Sequence, residues 1–234
     1  MDVLTKFFKE ICKNEFTKYG FKTYRRNFYR VVNDVFQSFT LHKSVAGNNC
    51  TVEFVIVPLC AGDVINKTYC GAHHLKIFEK DWSWFYYDRT DEQSIKNCVS
   101  EMIGYMKKYL IPFFEAGNDA KNAYYATYTF QDRNCKDGVF WADPSLFSMA
   151  LKAGMYETAL KHLQAQRANT EHAYNHNKQF FEPSPQYTKS IFDKIHKQDM
   201  FIKKIEALDL EYIAKFIHDN EQIALANLGM LKKQ

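Results

Sequence analysis

The chain has 234 residues, of which 46% are hydrophobic, 16% aromatic and 25% charged, with a formal net charge of +4. That length suits one large domain or two small ones, and is enough to bury a core without staples. Only 9 Gly and 5 Pro exclude a disordered, collagen-like or linker-rich chain, and no apolar run reaches the roughly 20 residues of a membrane span. The charge is uneven. Residues 1–90 hold 13 Lys/Arg and 9 Asp/Glu, whereas residues 91–234 hold 18 of each, so the whole excess lies in the N-terminal part. A net +4 is too weak to imply nucleic acid by itself. Acids and lysines interrupt the first ten residues, unlike the apolar stretch of a secretory leader. The six cysteines contain no CxxC pair and read as reduced thiols of a cytoplasmic protein.

Residues 2–18 predict an amphipathic helix. Val3, Leu4, Phe7, Phe8, Ile11 and Phe16 recur at helical spacing, and Gly20 is a natural stop. The period then changes. Strands are predicted near 26–32, 35–43 and 51–58, with turns at Asn33-Asp34 and at Ala46-Gly47-Asn48-Asn49. Segments 74–80 and 82–87 add one or two more, giving an antiparallel meander of about 4–5 strands. From Asp91 to Pro112 the pattern is helical again, and residues 119–131 fit either a helix or a strand. Beyond them the pattern predicts helices at 144–153, 155–168, 170–181, 185–206 and 209–230. The expected fold is α+β: a meander packed with an N-terminal and a middle helix (residues 1–117), followed by an all-helical region (118–234).

One stretch is familiar. A first helix leads into Tyr19-Gly20-Phe21-Lys22, then Asn27-Phe28-Tyr29-Arg30, then Val35-Phe36-Gln37-Ser38-Phe39-Thr40-Leu41-His42-Lys43-Ser44. With the apolar strand Cys50 to Pro58 and the later Asp81-Trp82-Ser83-Trp84-Phe85, this resembles a bacterial family, domain of unknown function 4304 (DUF4304). The resemblance covers about residues 1–115 and departs at His42, where Gln is commoner. It implies an α+β fold and no reaction. The helical half is unrecognised.

Several chemistries lack their residues. Cys70, His73 and His74 are poorly paired for zinc, and His172 with His176 has no acid placed as in HExxH. No metal or cofactor is therefore expected. No GxSxG or GxGxxG occurs, and Gly62 to Lys67-Thr68 lacks the second glycine of a phosphate loop. Asp88 with Asp91 and Glu92 reads first as a turn and an acidic helix start.

Two segments remain. In Lys22-Thr23-Tyr24-Arg25-Arg26-Asn27-Phe28-Tyr29-Arg30, cations interleave with aromatics, a pattern that attracts acidic protein or stacks bases. As one strand it would place Lys22, Tyr24, Arg26, Phe28 and Arg30 on one face, with the exposed cations keeping an edge soluble as the plain alternative. The second segment is Trp82 to Tyr87, whose outward face the C-terminal helices are expected to cover. The leading expectation is a non-enzymatic interaction or regulatory module, an immunity-type role being one instance. It would bind an acidic protein through Lys22, Tyr24, Arg25, Arg26, Tyr29 and Arg30, with His42 and Lys43 nearby. One alternative is an enzyme with a pocket between the halves, near Trp82, Trp84, His73, His74 and Asp88. A nucleic-acid-binding protein using the same basic strand is the other, less expected one.

Overall fold

The structure, a computed structural model, describes residues 2–45, 47–69, 71, 73–79, 83–134 and 144–231. Helix α1 (Val3–Phe16) starts where the Asp2 carboxylate accepts the Thr5 amide, and buries Leu4, Phe8, Cys12 and Phe16 at fourfold spacing. A 3-10 turn follows and ends at Gly20, whose φ of +83° is the left-handed stop that glycine tolerates.

The strands are β1 (Lys22–Tyr24), β2 (Asn27–Val32), β3 (Val35–Lys43), β4 (Asn49–Pro58), β5 (His73–His74) and β6 (Phe85–Tyr86). They form an antiparallel sheet in the order β1-β2-β3-β4-β5, with β6 also paired to β4. The Asn33-Asp34 turn is as expected: Val32 pairs with Val35, and Asn33 takes a φ of +51°, which asparagine accepts readily. Segment 22–30 is different. It is two strands joined by a turn at Arg25-Arg26, because Tyr24 pairs back onto Asn27. The side-chain alternation is reset there, so Lys22 and Tyr24 do not share a face with Arg30. Segment 74–80 is also mostly not strand, since residues 75–79 form a 3-10 turn.

Helix α2 (Glu92–Tyr105), a π turn at Met106–Leu110 and helix α3 (Ile111–Ala116) run on continuously. The wide turn lies where Pro112 would leave the Lys108 carbonyl without its helical donor. The ambiguous stretch is helix α4 (Ala120–Asn134). Then come α5 (Pro144–Lys152), α6 (Tyr156–Lys178), α7 (Pro185–Glu206) and α8 (Leu210–Leu228). The two helices expected over 155–181 are one. Thr170 does not break it, because its hydroxyl bonds back to the Gln166 carbonyl.

Both sheet faces carry apolar residues. On face one, Phe28, Phe39, Leu41, Val52, Phe54 and Ile56 join a core with α1 to α5 that also takes in Leu163, Phe201, Ile205 and Ile213. Phe54 is at its centre, with the rings of Phe78, Phe113, Phe114 and Phe130 within 6.3 Å. On face two, Tyr29, Phe36, Val55 and Val57 form a smaller cluster closed by Ala224 and Leu228 of α8. The last helix thus returns to the sheet, and Glu221 on it pairs with Lys152 of α5 at 2.5 Å.

One polar unit crosses face one. The fully buried Gln37 donates to the carbonyls of Phe114 (2.7 Å) and Gly117 (2.9 Å) and accepts from Arg30 Nε at 2.7 Å. Arg30 also donates to the Tyr19 carbonyl at 2.6 Å and to Glu115 at 2.7 Å, and lies over the Phe21 ring. This unit fastens the end of α3 and the segment after α1 onto β2 and β3.

Candidate functional site

The β1–β2 hairpin is an edge of the sheet, and its turn breaks a local rule. Tight hairpin turns favour Asn or Gly where φ is positive; here Arg25 adopts a φ of +55°. A bulky residue in that conformation stores about 1 kcal/mol of strain, which marks functional positions more often than scaffold ones. Lys22, Arg25 and Arg26 are exposed, and none pairs with an acid among the described residues. Tyr24 is 37% exposed, with the Arg25 guanidinium 5.5 Å and Lys67 Nζ 5.6 Å from its ring centre. Lys67 comes from the loop after β4; the sequence drew attention to it only as the end of a phosphate-loop-like segment, not as part of this surface. Asn27 holds that loop against the hairpin by donating to the Lys67 carbonyl at 3.3 Å.

Arg30 and Tyr29 are not part of this surface, which corrects the expectation for both. Arg30 is buried in the polar unit of face one, 7% exposed. Tyr29 is buried on face two and stacks on Phe36; burial, with Tyr24 nearby, pushes its phenol up. Lys43 is also elsewhere. It pairs with Asp2 at 2.6 Å at the start of α1, beside a cleft of about 470 Å³ that Tyr87 and Arg89 also line. Its charge is already neutralised there.

The structure brings together residues that the sequence kept apart. Cross-strand pairing puts Asn27, Thr40, Glu53 and His74 in one row, with His42 paired to Thr51 beside it. His42 Nδ1 lies 3.1 Å from Glu53 Oε1, and His74 Nε2 lies 3.8 Å from the same oxygen. Trp84 closes the group, its ring 5.4 Å from that of His42 and 5.2 Å from that of His74. So the outward side of the 82–87 run meets histidines rather than the C-terminal helices, and Tyr86 stays 69% exposed. Burial, together with His42 and His73 and against the pull of Glu53, lowers the pKa of His74. The Thr51 hydroxyl oxygen is buried without a hydrogen-bond partner among the described residues. Glu53 was missed, although an acid inside an otherwise apolar β-branched run is a visible signal.

The other pocket candidates separate. His73 faces the opposite way, 5.6 Å from Phe54 and 5.5 Å from Phe130, ring to ring. Asp88 is engaged with the Thr90 amide and hydroxyl, and Asp91 caps α2. Trp82 lies outside the described residues, as do Cys70 and Cys135. His172 and His176 stack on one helix face, and no described group of three ligating side chains could hold a metal. The described thiols are buried. Burial pushes Cys60 up to about 12 and Cys12 well above its ordinary value, which makes them poor nucleophiles. No described helix is long and apolar enough to cross a membrane.

Comparison with known proteins bears on the first half alone. No curated protein and no solved structure matches the chain. Residues 12–116 match the family described as Domain of unknown function (DUF4304). The match ends next to Glu115 and Gly117, where the Arg30–Gln37 unit is anchored, and it spans the whole meander. Residues 12–116 thus resemble DUF4304, and the helical half that follows has no family match.

Proposed function

We propose that this chain is an interaction module that captures an acidic segment of a partner protein on the β1–β2 hairpin, and so regulates or neutralises that partner. The observation that supports this reading is the strained Arg25-Arg26 turn. It sets Arg25 over the ring of one exposed tyrosine, where Lys67 also reaches, and leaves Lys22, Arg25 and Arg26 without a paired acid among the described residues. Unpaired cations beside an aromatic face offer a carboxylate both a charge and a stacking wall. Exposed charges of this kind steer encounter and set specificity more than they set raw affinity. Capture should therefore weaken as salt is raised.

The test uses a fluorescent Asp/Glu-rich peptide as the probe, followed by anisotropy. Arg25→Glu with Arg26→Glu should abolish binding and leave the melting temperature unchanged. The control is Lys189→Glu with Lys194→Glu, the same change in net charge on exposed positions of α7. Equal loss with both pairs would mean that overall charge, and not the hairpin, holds the peptide. Retained binding by the hairpin variant would sink the reading outright.

A further inference from the structure

Capture of an acidic segment makes no use of the cluster at the other end of face two. There, one carboxylate is flanked by two imidazoles that differ in kind. His42 turns Nδ1 to Glu53 at 3.1 Å and is 44% exposed, so Nε2 is the nitrogen left to a ligand. His74 turns Nε2 to the same oxygen at 3.8 Å and is only 24% exposed, so Nδ1 is left. The two rings are 6.4 Å apart and 26° from parallel. Two groups whose environments differ around one carboxylate are the usual means by which an acid and a base coexist at one pH.

No hydroxyl or thiol hydrogen-bonds to either imidazole among the described residues. A covalent enzyme intermediate therefore has no evident nucleophile among these residues, which leaves water or a group carried by the substrate as the attacker. Ribonucleic acid is the polymer that carries one, a 2′-hydroxyl next to each scissile phosphodiester. Two further features fit a single strand of it. Trp84 offers a ring for a base to stack on. Asn27, at the foot of the cationic hairpin, stands in the same cross-strand row as Glu53, two strand spacings or about 10 Å away. Phosphates on the hairpin side of the cluster would meet Arg26 and Lys67.

We propose that His42 and His74, with Glu53 and Trp84, form an acid–base site that cleaves single-stranded RNA by internal transesterification. His74 Nδ1 takes the proton of the 2′-hydroxyl, and the freed oxygen bonds to phosphorus. The P–O5′ bond breaks on the opposite side, and its electron pair takes the proton held on His42 Nε2. The products are a 2′,3′-cyclic phosphate and a free 5′-hydroxyl. Exchange with solvent returns a proton to His42 and removes one from His74, so no other reactant is needed. Glu53 is a positioning residue, holding His42 with Nε2 outward.

The assignment predicts a bell-shaped pH profile. The base must be neutral, and His74 is held below its ordinary value of 6.5 by burial and by His42 and His73, against Glu53. The acid limb should thus lie below 6.5.

The experiment follows a labelled single-stranded RNA oligonucleotide and its 2′-deoxy counterpart across about pH 5 to 8, with products identified by mass. The RNA should be cut to cyclic-phosphate ends and the deoxy strand left intact. His42→Ala and His74→Ala should each slow cutting by about 100-fold or more with unchanged melting temperatures. Glu53→Gln should lower kcat with KM little changed and the melting temperature kept, a split that a purely structural role would not give. Uncut RNA at every pH, equal cutting of the deoxy strand, or undiminished cutting by the double histidine variant would each overturn the proposal. The inference does not rest on the capture reading: the double histidine variant should still bind the acidic peptide, so the two fail separately.

Discussion

The two faces of the sheet are built from alternate residues of the same strands and are used in opposite ways. On face one even the polar residues are committed: Arg30 and Gln37 spend their donors on three backbone carbonyls and Glu115. On face two α8 covers Tyr29, Phe36 and Val57, and the far end keeps His42, Glu53, His74 and Trp84 in mutual contact at the surface. The same residue types therefore mean different things a few positions apart. Arg25 and Arg26 are exposed and have no paired acid among the described residues, whereas Arg30 is a buried structural cation. Burial separates them, because a desolvated guanidinium must have every donor satisfied, and a solvated one need not.

The comparison breaks most easily at Arg30. Arg30→Glu puts a carboxylate beside Glu115 and leaves Gln37 and the Tyr19 carbonyl without their donor, so it should destabilise the fold by about 4 kcal/mol, read by urea denaturation. An unchanged midpoint would erase the distinction between the two arginine positions.

A smaller effect is expected at Asp2, which pairs with Lys43 at the surface. Although partly desolvated, its carboxyl is held down to about 2 by hydrogen bonds from Lys43 and Thr5. The folded value is below the ordinary 3.8, so this contribution is complete above 3.8 and disappears as the pH falls toward 2. After allowance for solvent screening it amounts to about 1 kcal/mol. Asp2→Asn should remove that much at neutral pH and nothing near pH 2, as followed by thermal melts across the range.

The smallest change should have the opposite sign. Arg25→Gly relieves a positive φ and should stabilise the chain by about 0.5 kcal/mol, measured by denaturant midpoint, while weakening capture of the acidic peptide. A loss of stability would mean that the arginine serves the turn itself.

Much of the fold was legible where period and punctuation agreed. Fourfold apolar spacing from Leu4 to Phe16 and the stop at Gly20 marked α1. Asn33 marked its turn, and the β-branched run of β4 marked a strand. The Arg25-Arg26 turn was illegible because it contains none of the residues that tight turns favour, and reading through it put Arg30 on the wrong face. Arg30 and Gln37, both within the stretches that carry the DUF4304 resemblance, are partners in one buried unit. Of the site, the hairpin cations and aromatic were visible as a run. Of the histidine cluster only His74 with Trp84 was, because His42, Glu53 and His74 come from three different strands and Trp84 from just before β6.

The sequence alone determined that the charge excess is local to the first 90 residues, that a helix precedes a meander, and that helices follow. These are short-range properties, set by periodicity and turn chemistry. Only the tertiary structure decided which arginines are free, which aromatics are core, and that Glu53 stands between two histidines. Alternation along a strand separates its residues into two sets; which set the helices cover depends on register and on the return of α8, contacts between residues far apart in the chain.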